Sequence, residues 1–123
     1  MEAQEIGAEE EMKQYEVWWA TLPTPIGRRP VMLLSRDAAY EFLNNVLVVE
    51  ITTTVRGIAQ EVSLGYRERL PRRCAANFDN LHSVRRTALQ SRIGSLAKSR
   101  VGEVKKALGY ALGWPELTIS ESW

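Results

Sequence analysis

The chain has 123 residues, 45% hydrophobic and 25% charged, with a formal net charge of +1 at pH 7, which suits one domain with a modest core. No apolar run approaches the roughly 20 residues that span a bilayer as a helix, and the acidic N-terminus matches neither a secretory signal nor an Arg-rich transit peptide. One cysteine, Cys74, excludes an internal disulfide and fits a reducing cytoplasm, and with one histidine, His82, it leaves no basis for a zinc site of His and Cys ligands.

Residues 1–13 carry five acids (Glu2, Glu5, Glu9, Glu10, Glu11) against Lys13 and lack an apolar stripe, so they read as an acidic arm. The domain proper is expected over residues 14–117, with a tail at 118–123. Residues 16–22 hold Val17, Trp18, Trp19 and Leu22 and predict a strand. Residues 23–27, Pro-Thr-Pro-Ile-Gly, are a turn. The apolar run after Pro30 predicts a second strand over residues 31–35, and the proline pushes Arg29 towards extended backbone at its mouth.

The period changes over residues 37–44, a short helix with Ser35 or Asp37 as N-cap. Residues 46–53 (Val-Leu-Val-Val-Glu-Ile-Thr-Thr) predict the clearest strand, and residues 61–64 an antiparallel return. Residues 65–73 read as a charged loop. Further short strands are expected at 74–78, at 81–84 and around Ile93. Val101, Val104, Leu108, Ala111 and Leu112 share one face of a last helix, which Gly113 and Pro115 end. Short strands with one terminal helix point to a small, strongly curved sheet or barrel rather than a βαβ fold.

The charge is unevenly spread. Residues 56–106 carry twelve Arg or Lys against four acids, a surplus of +8. A basic body suits a polyanion, nucleic acid being the commonest, although a solvated surface looks the same by charge alone. Ahead of it, Arg29 at the start of one strand and Thr52 at the end of another pair a guanidinium with a hydroxyl. Consecutive threonines also follow from β-propensity, but beside arginines they can donate to a phosphate.

Glu16-Val17-Trp18-Trp19-Ala20, Arg29-Pro30-Val31, Ile51-Thr52-Thr53 and Asp79-Asn80-Leu81, in that order, resemble the MazF/PemK family of toxin endoribonucleases. The resemblance runs from about Glu16 to Trp114. It implies a mainly β SH3-like barrel with a short helix after strand two and a C-terminal helix, working as a cytoplasmic homodimer. It also implies cleavage of single-stranded RNA at short motifs without a metal or other cofactor, giving 2′,3′-cyclic phosphate and 5′-hydroxyl ends. An inhibitory MazE-like antitoxin peptide is the implied partner.

Arg29 and Thr52 match the family's catalytic arginine and threonine. The chemistry agrees, because a guanidinium fork and a hydroxyl both suit the charge that builds on phosphate oxygens. Arg28, Thr53 and Arg56 are expected near the RNA phosphates, and Asp79 and Asn80 match the family's substrate-contacting pair. The proton acceptor for the 2′-hydroxyl is not evident; His82 suits the task by its ordinary pKa, but the family uses no histidine there and a structural role is expected. Cys74 is expected to be a buried small residue. Trp18 and Trp19 should face opposite ways, and Trp114 should pack in the core or at a dimer interface.

The chain departs from the family in the acidic extension before Met12 and in three further places. The loop at residues 23–27 is shorter and lacks an acid, Thr21 stands where aspartate is usual, and Tyr15 where glycine is usual. The alternatives are a non-catalytic toxin on the same fold, like the CcdB poisons of DNA gyrase, and an inactive RNA-binding relative.

Overall fold

The computed structural model describes residues 11–119. Most of the acidic arm and residues 120–123 of the tail therefore lie outside the described residues. The chain forms β1 (Glu16–Leu22), β2 (Gly27–Leu33), a one-turn helix α1 (Ala39–Phe42), β3 (Asn45–Thr52), β4 (Glu61–Leu64), β5 (Cys74–Arg85), β6 (Leu89–Ser95) and the helix α2 (Val101–Leu112). Six strands make one sheet in the order β4-β5-β3-β2-β1-β6, and every pairing in it is antiparallel.

Strand alternation sorts the apolar residues into two cores, one on each face of the curled sheet. Val17, Met32, Val49, Ile51, Ala76 and Phe78 face one way and are covered by Val104 and Ala107 of α2. Trp18, Val31, Leu33, Val46, Val48 and Val84 face the other, where Ala39 and Tyr40 of α1 close over them. The mainly β half-barrel with a short helix after strand two and a C-terminal helix is the architecture that the resemblance implies.

Several local expectations are corrected. β2 begins at Gly27 rather than at residue 31, because Arg29 and Pro30 already pair with Ala20 and Trp19 of β1. Neither Ser35 nor Asp37 caps α1: Ser35 Oγ accepts from the Leu47 N–H at 2.9 Å and Asp37 Oδ1 from the Gln14 N–H at 2.8 Å. β4 does not return along β3 but pairs with β5, since both edges of β3 are taken by β2 and β5.

The two strands expected at 74–78 and 81–84 are one strand, β5. It carries a bulge: Val49 pairs with Leu81 but Ile51 pairs with Ala76, so residues 77–80 stand opposite Glu50 alone. The Asn77 side chain accepts the Asp79 N–H at 2.9 Å and holds the bend, and this bend interrupts the apolar pattern.

On α2, Ala107 is buried and Leu112 exposed. At about 100° per residue Leu112 lies about 80° round from Val104, beyond the edge of the stripe. Gly113 ends the helix in the left-handed conformation, with φ 71°.

Tyr15 has φ 73°, a conformation that favours glycine, which accounts for glycine being usual there. Its N–H donates to the Leu33 carbonyl at 2.7 Å and its carbonyl accepts from the Leu96 N–H at 3.0 Å. The two bonds hold the strained residue between β2 and the end of β6.

Candidate active site

The site is built where β2 parts from β3. Their pairing runs Leu33 with Val48, Met32 with Val49 and Val31 with Glu50, and then stops. Pro30 has no N–H to continue the ladder, so the strands diverge there. Continuing the same register by two residues would set Arg29 level with Thr52. By alternation, Arg29, Glu50, Thr52 and His82 share the sheet face of Val31, Val48 and Val84.

Among the described residues, one side-chain hydrogen bond anchors Arg29. Its Nη1 donates to Glu50 Oε2 at 2.9 Å, with side-chain exposures of 41% and 13%. The other carboxylate oxygen, Glu50 Oε1, lies 3.2 Å from Nε2 of His82, whose side chain is 21% exposed. Glu50 thus bridges a guanidinium from β2 and an imidazole from β5. A guanidinium has five N–H donors in a fixed fork, so the bond to Glu50 leaves most of them for an anion.

Thr52, half-buried at the end of β3, accepts the Thr54 N–H on its Oγ1 at 3.0 Å. A hydroxyl that accepts in this way still has its own hydrogen to donate. Thr53 and Arg56 follow in the exposed connection to β4. That connection is folded back by Glu61, whose carboxylate accepts from the Arg56 N–H at 3.1 Å and from the Gly57 N–H at 2.9 Å. Asp79 and Asn80 are exposed on the bulge of β5 opposite Glu50, with the Gln60 amide 3.4 Å from the Asp79 carboxylate.

Arg28 stands apart from these residues. It projects from the opposite face of β2, its guanidinium carbon 4.0 Å from the ring centroid of Trp19. Its Nε donates to Gln90 Oε1 at 3.0 Å, and the Gln90 amide donates to Thr21 Oγ1 at 2.7 Å. Thr21, which replaces the usual aspartate, therefore belongs to this second cluster. Trp18 and Trp19 do face opposite ways: Trp18 is buried, its indole N–H donating to Glu16 Oε1 at 2.9 Å, while Trp19 lies under Arg28.

Trp114 is 50% exposed, so it is not part of this chain's core; Pro115 starts a separate turn that carries it past the end of α2. Cys74 is buried, and burial pushes its thiol up from the ordinary range, which suits an inert packing residue.

Sequence reasoning passed over Glu50. It is the one acid in a strand that is otherwise apolar or Thr and Asn, and a carboxylate at such a position needs a partner. That mismatch was the available signal. His82 was expected to be structural, and the fold sets it on the carboxylate that holds Arg29.

The profile of the PemK-like, MazF-like toxins of type II toxin–antitoxin systems matches residues 13–112. The chain belongs to this family. Over 98 residues it is 46% identical to a probable endoribonuclease MazF5 of Mycobacterium tuberculosis, covering 79% of this chain and 89% of that protein. A probable endoribonuclease MazF2 of the same species is 39% identical over 103 residues, 83% of this chain and 99% of that one. Among solved structures, the Mycobacterium tuberculosis toxin MazF-mt6 superimposes with a TM-score of 0.75 at 33% identity, over 80% of this chain and 96% of that chain. A mycobacterial endoribonuclease in complex with its cognate antitoxin does so with a TM-score of 0.72 at 25% identity, over 85% and 97%. The endoribonuclease class expected from four short motifs is thus the class of the relatives along almost their whole length.

Proposed function

We propose that the chain is the toxin of a type II toxin–antitoxin system and cuts single-stranded RNA at short sequence motifs without a metal ion. In this reading the 2′-oxygen attacks the adjacent phosphorus and the bond to the 5′-oxygen breaks. The products are a 2′,3′-cyclic phosphate and a 5′-hydroxyl. Arg29 stabilises the charge on the non-bridging oxygens, and Thr52 donates to the same group. Thr53 and Arg56 hold flanking phosphates, and Asp79 and Asn80 read base edges beside the cut. Arg28, on its stacked tryptophan, serves RNA that passes round to the other face. The observation that carries the reading is the half-exposed Arg29 guanidinium, fixed by Glu50 where β2 leaves β3.

The working form in this proposal is a homodimer in the cytoplasm, silenced by a MazE-like antitoxin peptide. A peptide that inhibits would lie over the same basic residues as RNA and compete with it.

The test is incubation of the purified protein with a long single-stranded RNA in excess EDTA, followed by mapping of every new end. Discrete cuts at a recurring motif, with 2′,3′-cyclic phosphate and 5′-hydroxyl termini, are expected. Folded protein that leaves diverse RNAs intact would exclude the reading, and salt-sensitive binding without cleavage would mark an inactive RNA-binding relative.

A further inference from the structure

In that cleavage the attacking 2′-hydroxyl still needs a group to take its proton. We propose that His82 is that group, the general base of the cleavage, and that Glu50 is the positioning residue that holds it together with Arg29. The proposal rests on the reading of Arg29 as the phosphate-facing residue.

Glu50 bonds both groups at once, Arg29 Nη1 through Oε2 at 2.9 Å and His82 Nε2 through Oε1 at 3.2 Å. A carboxylate only accepts hydrogen bonds, so a neutral imidazole facing it must carry its hydrogen on Nε2. The lone pair is then on Nδ1, where a proton can be taken. The same carboxylate therefore fixes the tautomer of the base and the orientation of the transition-state donor. His82 and Arg29 come from strands on either side of β3, and Glu50 lies between them on the shared face. The bulge of β5 lies just before His82 and opposite Glu50, so the strand bends at the point where the ring meets the carboxylate.

Other acids near β5 are engaged elsewhere. Glu61 of β4 is held by the Arg56 and Gly57 N–H groups, and Asp79 meets Gln60. Arg85, also on β5, is three residues beyond His82, so it falls on the other side of the strand by alternation. Among the described residues, Glu50 is the charged side chain in contact with the ring, and its other oxygen holds Arg29.

In the step, the proton on the 2′-oxygen passes to His82 Nδ1 as the bond from that oxygen to phosphorus forms. The bond from phosphorus to the 5′-oxygen breaks, and the departing oxygen takes a proton from solvent water. The imidazolium gives its proton back to solvent, which closes the cycle.

The test is single-turnover cleavage between about pH 5 and pH 8, with wild type, His82→Gln, Glu50→Gln and Arg29→Ala, on a short RNA bearing the mapped motif. RNA affinity and thermal melting are measured beside each rate. The wild-type rate should fall in acid, as general-base catalysis requires. His82→Gln should be slower by about 10²–10⁴-fold, without the acid limb, and bind RNA as tightly as wild type. Glu50→Gln loses the carboxylate that orients both groups, so its bound-state rate should fall while RNA affinity and melting stay close to wild type.

If His82→Gln keeps the wild-type rate and acid limb while Arg29→Ala is inactive, the proposal fails and the underlying reading stands. If Arg29→Ala cleaves normally, the underlying reading fails. A His82→Gln variant that loses affinity but not its bound-state rate would make the ring a binding group and overturn the proposal.

Discussion

Arg100 closes on the buried carboxylate of Glu68, Nη1 to Oε2 at 3.1 Å, although the two residues lie on different elements of the fold. The same guanidinium donates through Nη2 to the Ser63 carbonyl at 2.6 Å and to Glu103 Oε1 at 2.7 Å. One side chain therefore ties β4, the 3₁₀ turn Tyr66–Glu68 and the start of α2 together, and α2 covers one core. The Gly65 N–H, at 2.7 Å, satisfies the other oxygen of Glu68. Removing Arg100 would leave a 2% exposed carboxylate without its counter-charge. Arg100→Leu should lower the unfolding free energy by about 3 kcal/mol in urea titrations. A loss under about 1 kcal/mol would show that Glu68 stays satisfied without the clamp.

The same cluster sets a pH dependence. The hydrogen bond from Arg100 holds the Glu103 carboxyl below its ordinary value of 4.5. A depressed folded-state value contributes stability that is full above the unfolded value and is lost as pH falls through the folded one. The stability gap between wild type and Glu103→Gln should therefore be constant above about pH 5 and close below it. Urea titrations across the acid range check this, and a gap that grows in acid would reverse the assigned sign.

Gly94 of β6 lies against the Glu68 turn. A Cβ at residue 94 would stand 2.2 Å from the Glu68 carbonyl oxygen and 2.9 Å from its carbon. Both obstacles are backbone and cannot rotate aside. Gly94→Ala should cost about 2–3 kcal/mol in urea unfolding, and an unchanged midpoint would mean that the turn gives way freely.

Thr52 tests the phosphate-facing role with little expected cost to the fold, since its Oγ1 accepts a bond from the exposed Thr54 N–H. Thr52→Val keeps the shape and removes the hydroxyl. Its cleavage rate should fall about 10²-fold, with thermal melting close to wild type, while Thr52→Ser should retain most of the rate. Equal rates in all three proteins would remove Thr52 from the chemistry.

Much of the fold was legible in the sequence because its signals are local. Val46, Val48, Val49 and Ile51 mark β3, and Gly113 with Pro115 marks the end of α2. Pairing was not legible. Nothing in Glu61–Leu64 says that β5, rather than the preceding strand, is its neighbour, because that choice depends on which edges remain free. The bulge of β5 broke its pattern and made one strand look like two. Arg29 and Thr52 carry recognisable motifs, and the pairing of β2 with β3, extended past Val31 and Glu50, would set the two level although they lie far apart in sequence. The Glu50 bridge depends on three strands meeting, and only its odd carboxylate was visible beforehand.

The central claim is that Arg29 carries the transition-state charge, and the most direct measurement is single-turnover cleavage by Arg29→Ala with RNA affinity determined in parallel. A loss of at least about 10²-fold in rate, in a protein that melts like wild type and still binds RNA, is the expected result. Cleavage within a few-fold of wild type at the same motif would contradict the account and move the chemistry away from the mouth of β2.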